Sequence, residues 1–303
     1  MAAPLLGINA PWDPPDYAAG LAARKAAGLE MVIVSDHLSF RNGFGQDALI
    51  RAGMVHAQQP DLTVLVAVYL LPLRHPALVA RQLSDLNQMA PGKLVLGIGV
   101  GGEDRAEIAA AGIDPATRGK RTDESLICLR GLMTGAPVEF EGAHFRLDGV
   151  KIVPAVEPAV PILVGGRSEA ALRRAALHGD GWFGIFCTAD RFARSLDQIG
   201  EAAAAADRDV DWRHGMQVWC AVDDDVAAAR ARLSQTMSSF YQVPWEKFER
   251  YAPAGTAEQV AEYLAAYVRA GARLINLAPV GDDQACVDGV AKVKEYLEAE
   301  FGR

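Results

Sequence analysis

Apolar runs of strand length alternate with stretches of helical period along the whole chain, and this alternation restricts the fold more than any other feature. Leu5–Asn9 reads as a strand and Asp16–Ala27 as an alanine-rich helix that Gly28 ends. Met31–Ser35 is the second apolar run; a loop holding Asn42, Gly43 and Gly45 follows, then a helix over Gln46–Ala57. Leu62–Val68 predicts a third strand and Pro76–Met89 a helix with proline in its first turn. Leu94–Ile98 predicts a fourth strand, and Glu103–Ala111 and Arg118–Met133 two helical stretches. Val138–Phe140 and His144–Leu147, flanking Glu141-Gly142-Ala143, predict a small hairpin. Four more strands follow at Ile162–Val164, Trp182–Phe186, Met216–Val222 and Arg273–Leu277. Helices are predicted over Ser168–His178, Ala189–Ala206, Asp224–Phe240, Ala257–Ala270 and Gln284–Phe301.

Strands that are apolar throughout, without polar alternation, are buried on both faces and therefore belong to a parallel sheet flanked by helices. Eight of them in 303 residues fit an α/β fold of the (β/α)8 TIM-barrel kind better than an open doubly wound sheet. No linker breaks the composition, so one domain over residues 1–303 is expected. The hairpin is read as an insertion between strands four and five, and 242–255 as a helical insertion before strand eight. Half of the residues (50%) are apolar, enough for a large core, and the net charge of −8 argues against a nucleic-acid or polybasic membrane binder. Cys128, Cys187, Cys220 and Cys286 form no CxxC pair and read as core residues of a reducing compartment. The first residues lack a basic region with a long apolar core, so no signal peptide and a cytoplasmic location are expected.

In such a barrel, chemistry sits at the carboxyl ends of the strands. That rule selects Ser35-Asp36-His37, Tyr69-Leu70-Leu71-Pro72, Gly99-Val100-Gly101-Gly102, Gly165-Gly166-Arg167-Ser168 and Cys187-Thr188. Two glycines, an arginine and a serine that can cap the next helix make the fifth-strand loop either an anion site or an ordinary capped turn. Gly97–Gly102 spells GxGxxG, but Asp123, at the distance of the acid in a dinucleotide fingerprint, lies inside a helical stretch. Gly99 and Gly101 then either clear space for a planar ligand or form a plain turn. Asp36 beside His37 suits proton transfer, against the alternative of a satisfied structural histidine. His75 belongs to the turn into the third helix, and Arg173-Arg174 reads as a solvated helix edge. No histidine spacing suggests a metal, and neither a GxSxG elbow nor a P-loop is present.

Five segments, in this order and spacing, resemble the luciferase-like monooxygenase superfamily. They are Val34-Ser-Asp-His37, Leu71-Pro-Leu-Arg-His-Pro76, Lys93–Gly102, Arg118-Gly-Lys-Arg-Thr-Asp-Glu124, and Pro161–Ser168 running on through Ala176 to Gly179-Asp-Gly-Trp182. Within it the resemblance is to the branch that uses the deazaflavin coenzyme F-420 (F420). It implies a TIM barrel with the ring across the strand ends, faced by Asp36 and His37. It places Ala67-Val68 at a third-strand bulge, often a non-prolyl cis peptide, and the cofactor phosphate on Gly165, Gly166 and Arg167, with Arg191 a second candidate for an acidic tail. The implied activity is hydride transfer between F420 and a small organic substrate, His37 handling the proton and Asp36 setting its hydrogen bonding. The alternatives are an FMN-dependent monooxygenase and a non-catalytic flavin-binding barrel. Sugar-phosphate dehydrogenases of the superfamily carry a Glu after the fourth-strand glycines and a Trp after the Asp-His pair; here Gly102 and Arg41 stand there, which argues against that substrate. Substrate contacts are expected from 40–46, 102–112 and 242–255, and a homodimer from the resemblance alone.

Overall fold

The structure, a computed structural model, describes residues 2–12, 16–41, 43–101 and 104–302. In chain order come β1 (Leu5–Asn9), α1 (Tyr17–Ala26), β2 (Met31–Val34), β3 (His37–Phe40), β4 (Phe44–Gln46), α2 (Ala48–Gln58), β5 (Thr63–Leu70) and α3 (Pro76–Met89). Next are β6 (Leu94–Gly99), α4 (Arg105–Ala110), α5 (Arg118–Met133), β7 (Val138–Glu141), β8 (Arg146–Val150), β9 (Ile162–Gly165) and α6 (Glu169–His178). The chain closes with β10 (Gly181–Ile185), α7 (Ala189–Ala204), β11 (Gly215–Val222), α8 (Val226–Tyr241), β12 (Ala254–Gly255), α9 (Ala257–Arg269), β13 (Leu274–Pro279) and α10 (Asp283–Phe301). Eight strands in the order β10-β9-β6-β5-β2-β1-β13-β11, with β10 also paired to β11, form the closed parallel barrel that the alternation predicts. By its packing the chain divides into two compact units, Val34–Asp180 and the remainder, 1–33 with 181–303.

In the Val34–Asp180 unit, β6 and β9 are buried along their whole length, as unbroken apolar runs require. His75 caps α3, its Nδ1 accepting from the Ala77 amide at 3.2 Å, so its place in the turn is as expected. The hairpin β7–β8 is tied to α5 by Glu124, whose carboxylate accepts from the amides of Ala143, His144 and Phe145. Two expectations are corrected. Residues 37–46 are not a loop throughout: β3 and β4 pair as an antiparallel ribbon, in which Gly45 leaves room for the His37 carbonyl, 2.4 Å from where a Cβ would stand. Arg174 is buried rather than solvated; it donates to Asp123 at 2.5 Å and to the Gly119 carbonyl, fastening α6 to α5.

In the other unit, β1 lies between β2 and β13, and β11 between β13 and β10. Gly28, at φ +75°, follows α1 as expected. Arg24 of α1 is buried and reaches Asp283 at the start of α10 and the Asn9 carbonyl, joining α1, β1 and α10. Segment 242–255 begins where Gln242 ends α8 in the left-handed region and returns through β12, which pairs with the end of β11. His214 is buried, accepting the Trp182 amide on Nδ1 at 3.1 Å.

Burial, aided by the charge of Arg273, pushes the His214 imidazole down to about 4, and burial also lowers His56 of α2. A group so lowered takes up its proton more readily in the unfolded chain. Its stabilising contribution is therefore complete above about pH 6.5 and is lost as the pH falls toward 4. In urea unfolding, His214→Asn, which keeps an acceptor for the Trp182 amide, is expected to lose less stability over that interval than the parent protein.

Candidate active site

The end of β2 is organised by a buried carboxylate. Asp36 Oδ1 accepts from the Ala48 amide at 3.2 Å and from Arg74 Nη2 at 2.9 Å. Its Oδ2 accepts from the Leu70 amide at 2.9 Å and from Arg74 Nη1 at 2.5 Å. Arg74 also reaches Asp47 Oδ2 and lies over the Tyr69 ring, 4.5 Å from its centroid. Burial pushes the Asp36 carboxyl up, while Arg74 and the two amides oppose that shift. All four partners are N–H donors, so the group is held as an acceptor, which means ionised.

His37, the next residue, looks elsewhere. Its Nδ1 lies 3.1 and 3.2 Å from the two oxygens of Glu107 on α4. Glu107 is 3% exposed, and its Oε1 also accepts from the amides of Leu38 at 2.7 Å and Ser39 at 3.2 Å. The same short helix is tied to the ribbon a second time: Asp104 caps it through the Ala106 amide and accepts the Arg41 amide on its other oxygen. A carboxylate fixed by backbone donors can only accept from Nδ1, so Nδ1 carries a proton. In the neutral ring Nε2 is then the acceptor nitrogen; the ring is 26% exposed and packs 4.7 Å from Phe40. The role assigned to Asp36, setting the hydrogen bonding of His37, thus falls to Glu107; the two oxygens of Asp36 are taken up by Arg74, Leu70 and Ala48.

The third-strand bulge is present: the β5–β6 register shifts between Val66 and Tyr69, and the Ala67–Val68 peptide is cis. Ala67 and Val68 are half-buried while Val66 and Tyr69 on either side are fully buried, so the bulge is where β5 offers apolar surface. The fourth-strand glycines serve this bulge. A Cβ on Gly97 would stand 2.4 Å from the Val66 carbonyl oxygen, and one on Gly99 2.4 Å from Val68 Cγ2. Gly101 has φ +67°; Gly102 lies outside the described residues.

One step beyond the β6–β9 pair Ile98–Val164 comes Gly165, buried at the end of β9. Gly166 turns the chain at φ +109° and, with Arg167, is exposed. Ser168 caps α6 by accepting the Ala171 amide at 3.3 Å. The loop has the parts of an anion site, a helix N-terminus beside a cation, with Glu169 in the first turn opposing it in part. Arg191 belongs to α7 of the other unit, its amide donating to the Thr188 cap.

The sequence profile of the luciferase-like monooxygenase family matches residues 6–297. The chain belongs to that family. An uncharacterized protein of Mycobacterium tuberculosis is 43% identical over 112 residues, 37% of this chain and 38% of that protein, so the match spans well under half of the relative's length. An F420-dependent glucose-6-phosphate dehydrogenase of Rhodococcus erythropolis is 27% identical over 291 residues, 85% of each chain. Among solved structures, an F420-dependent secondary alcohol dehydrogenase in complex with an F420-acetone adduct superposes with a TM-score of 0.86 at 20% identity, over 98% of this chain and 99% of the other. An EDTA monooxygenase from Chelativorans sp. BNC1 gives 0.82 at 14% identity, over 99% and 94%. At these identities the structures establish the shared barrel.

Two residues of this luciferase-like site escape the sequence. Arg74 sits in the quoted Leu71–Pro76 segment, and the signal for it is that a buried Asp36 needs a cation. Glu107 is 70 residues from His37 in a six-residue helix, and no spacing links them. Asp36→Asn is expected to cost about 3 kcal/mol in urea unfolding, the low end for a broken buried pair because Arg74 keeps Asp47. Glu107→Gln turns an amide donor toward Nδ1, so the nitrogen NMR shifts of His37 should report a proton moved to Nε2, whereas unchanged shifts would remove Glu107 from tautomer control.

Proposed function

We propose that this luciferase-like protein transfers hydride between the deazaflavin coenzyme F420 and a small organic substrate. The observation that carries the reading is the His37–Glu107 pair, with Nε2 left for chemistry, in the same unit as the half-buried Ala67–Val68 surface. The residues present fit such a cofactor. A flat apolar ring suits the bulge surface, which exists because Gly97 and Gly99 leave no side chain in its way. A phosphate suits the start of α6, where Gly165, Gly166 and Arg167 would hold it.

When bound, the deazaflavin supplies the hydride chemistry. The chain's own part is positional and protic. His37 gives or takes the accompanying proton at Nε2, and Glu107 keeps Nδ1 protonated and stabilises the imidazolium when Nε2 is loaded. Asp36 and Arg74 hold the strand ends on which His37 and the bulge are mounted. The relatives named as F420-dependent dehydrogenases support the cofactor, and a cytoplasmic homodimer is part of the same reading, resting on the resemblance.

Titration of the purified protein against F420 and FMN tests this. Micromolar F420 binding with negligible FMN affinity is expected; the reverse would transfer the protein to the FMN monooxygenases. His37→Ala should retain F420 affinity within a few-fold while turnover drops by roughly 10²–10⁴-fold, the range for a lost acid–base group, and unchanged turnover would exclude His37 from the reaction.

A further inference from the structure

The unit formed by 1–33 and 181–303 carries a polar feature on the inner face of its strands that the site above does not use. Side chains alternate along a strand, and partners in a parallel ladder share a face. Val222 lies against α10, 2.9 Å from where a Cβ of Gly289 would stand, and Trp182 packs on Phe192 of α7. Gln217 and Trp219 of β11 and Ile185 of β10 therefore face away from α7 and α10, and Trp219 meets the end of α8 instead. Ile185, Gln217, Asn276 and Gly7 are successive register partners across β10, β11, β13 and β1 and make one inward layer. Such layers are filled by branched apolar side chains in most barrels, so two adjacent amides depart from the rule.

Asn276 is 1% exposed, and its Oδ1 is buried without a hydrogen-bond partner. Beside it Gln217 is half-buried, so this part of the layer can be reached from outside. Nothing fills the Gly7 position from β1 itself; Met31 and Ile33 cover it with apolar atoms, 2.8 and 2.5 Å from where its Cβ would be. One layer further along β11, Trp219 is half-buried, its indole N–H donating to Tyr241 Oη at 3.1 Å. That bond fixes the ring, which Phe240 and Tyr241 of α8 flank at 5.7 and 6.0 Å. No inward position of β1, β10, β11 or β13 carries a charge.

We propose that this inner face binds an uncharged organic molecule that presents a hydroxyl or carboxamide to Asn276 and Gln217 and a flat apolar body to Trp219. The orphaned Oδ1 calls for a donor, and a hydroxyl or carboxamide supplies one while accepting from an amide N–H. The absence of a counter-charge excludes carboxylates, phosphates and ammonium groups, which are costly to bury unpaired. The site lies within one unit and does not depend on the cofactor reading.

Benzyl alcohol, toluene and benzoate are the probes, titrated into the protein without cofactor and followed by calorimetry and saturation-transfer NMR. Benzyl alcohol is expected to bind about tenfold more tightly than toluene, and benzoate not at all. Asn276→Leu, similar in volume, should abolish the preference for the alcohol while toluene still binds; Asn276→Ala gives the same readout if the leucine variant does not fold. Trp219→Leu should weaken both neutral probes. Equal binding of alcohol and toluene by the parent protein, an intact preference in both Asn276 variants, or a soaked crystal with only water on Oδ1 would overturn the proposal. Loss of F420 binding would leave it standing, and its own failure would leave the F420 reading standing.

Discussion

A single buried carboxylate decides where the chain goes at the candidate active site. Asp36 gathers N–H groups from the start of α2, the end of β5 and the Arg74 guanidinium just beyond it, so both elements are fixed to the turn that follows β2. Taking such a charge out of water is unfavourable by several kcal/mol unless every lone pair is used, and here two oxygens meet four donors. Asp47 adds to the same arrangement from two sides, capping α2 through Leu49 and Ile50 while sharing Arg74. The next residue, His37, therefore begins β3 from a rigid point, and its ring acquires the precision of the scaffold.

The barrel was legible because its signals are local. Unbroken apolar runs such as Met31–Val34 and Ile162–Gly165 are buried throughout, and glycine at the end of a helix, as at Gly28, acts as its type suggests. What escaped depends on contacts between distant segments. Gly45 reads as a turn signal, yet it sits in a strand because the His37 carbonyl needs the space. Arg174 has the pattern of a surface residue and is buried because Asp123 of α5 meets it. At the site, Asp36 and His37 were recognisable as a pair of reactive residue types, but their adjacency in sequence was misleading about their partners. Neighbouring residues at a strand end point to different sides, so Asp36 turned to Arg74 and His37 to a helix 70 residues away.

The GxGxxG string shows how one pattern arises from two causes. In a dinucleotide-binding turn the glycines let a backbone approach a pyrophosphate. Here Gly97 and Gly99 lie within β6, at alternate positions of one face, and both are required by the neighbouring bulge, where Val66 and Val68 occupy the space of their missing side chains. Among the described glycines of the string, only Gly101, at φ +67°, is a turn glycine. The string thus reports on the packing between β5 and β6, and through it on the half-buried surface that β5 presents.

Net charge and local charge act over different distances, which reconciles an acidic protein with the phosphate site proposed at Gly165–Ser168. At physiological ionic strength exposed charges separated by more than about 8 Å are largely screened from one another. The excess of eight acidic groups over the whole chain therefore governs solubility and long-range approach and says little about one loop. At Gly165–Ser168 the local inventory is a helix N-terminus and Arg167 against Glu169, in an exposed turn that the short polar cap of Ser168 leaves open. At a helix N-terminus backbone N–H groups contribute to anion binding as well, and their partial charges do not depend on the net charge of the protein. If the loop holds the proposed phosphate, the glycines at its start would make its choice between anions a matter of backbone shape more than of charge number.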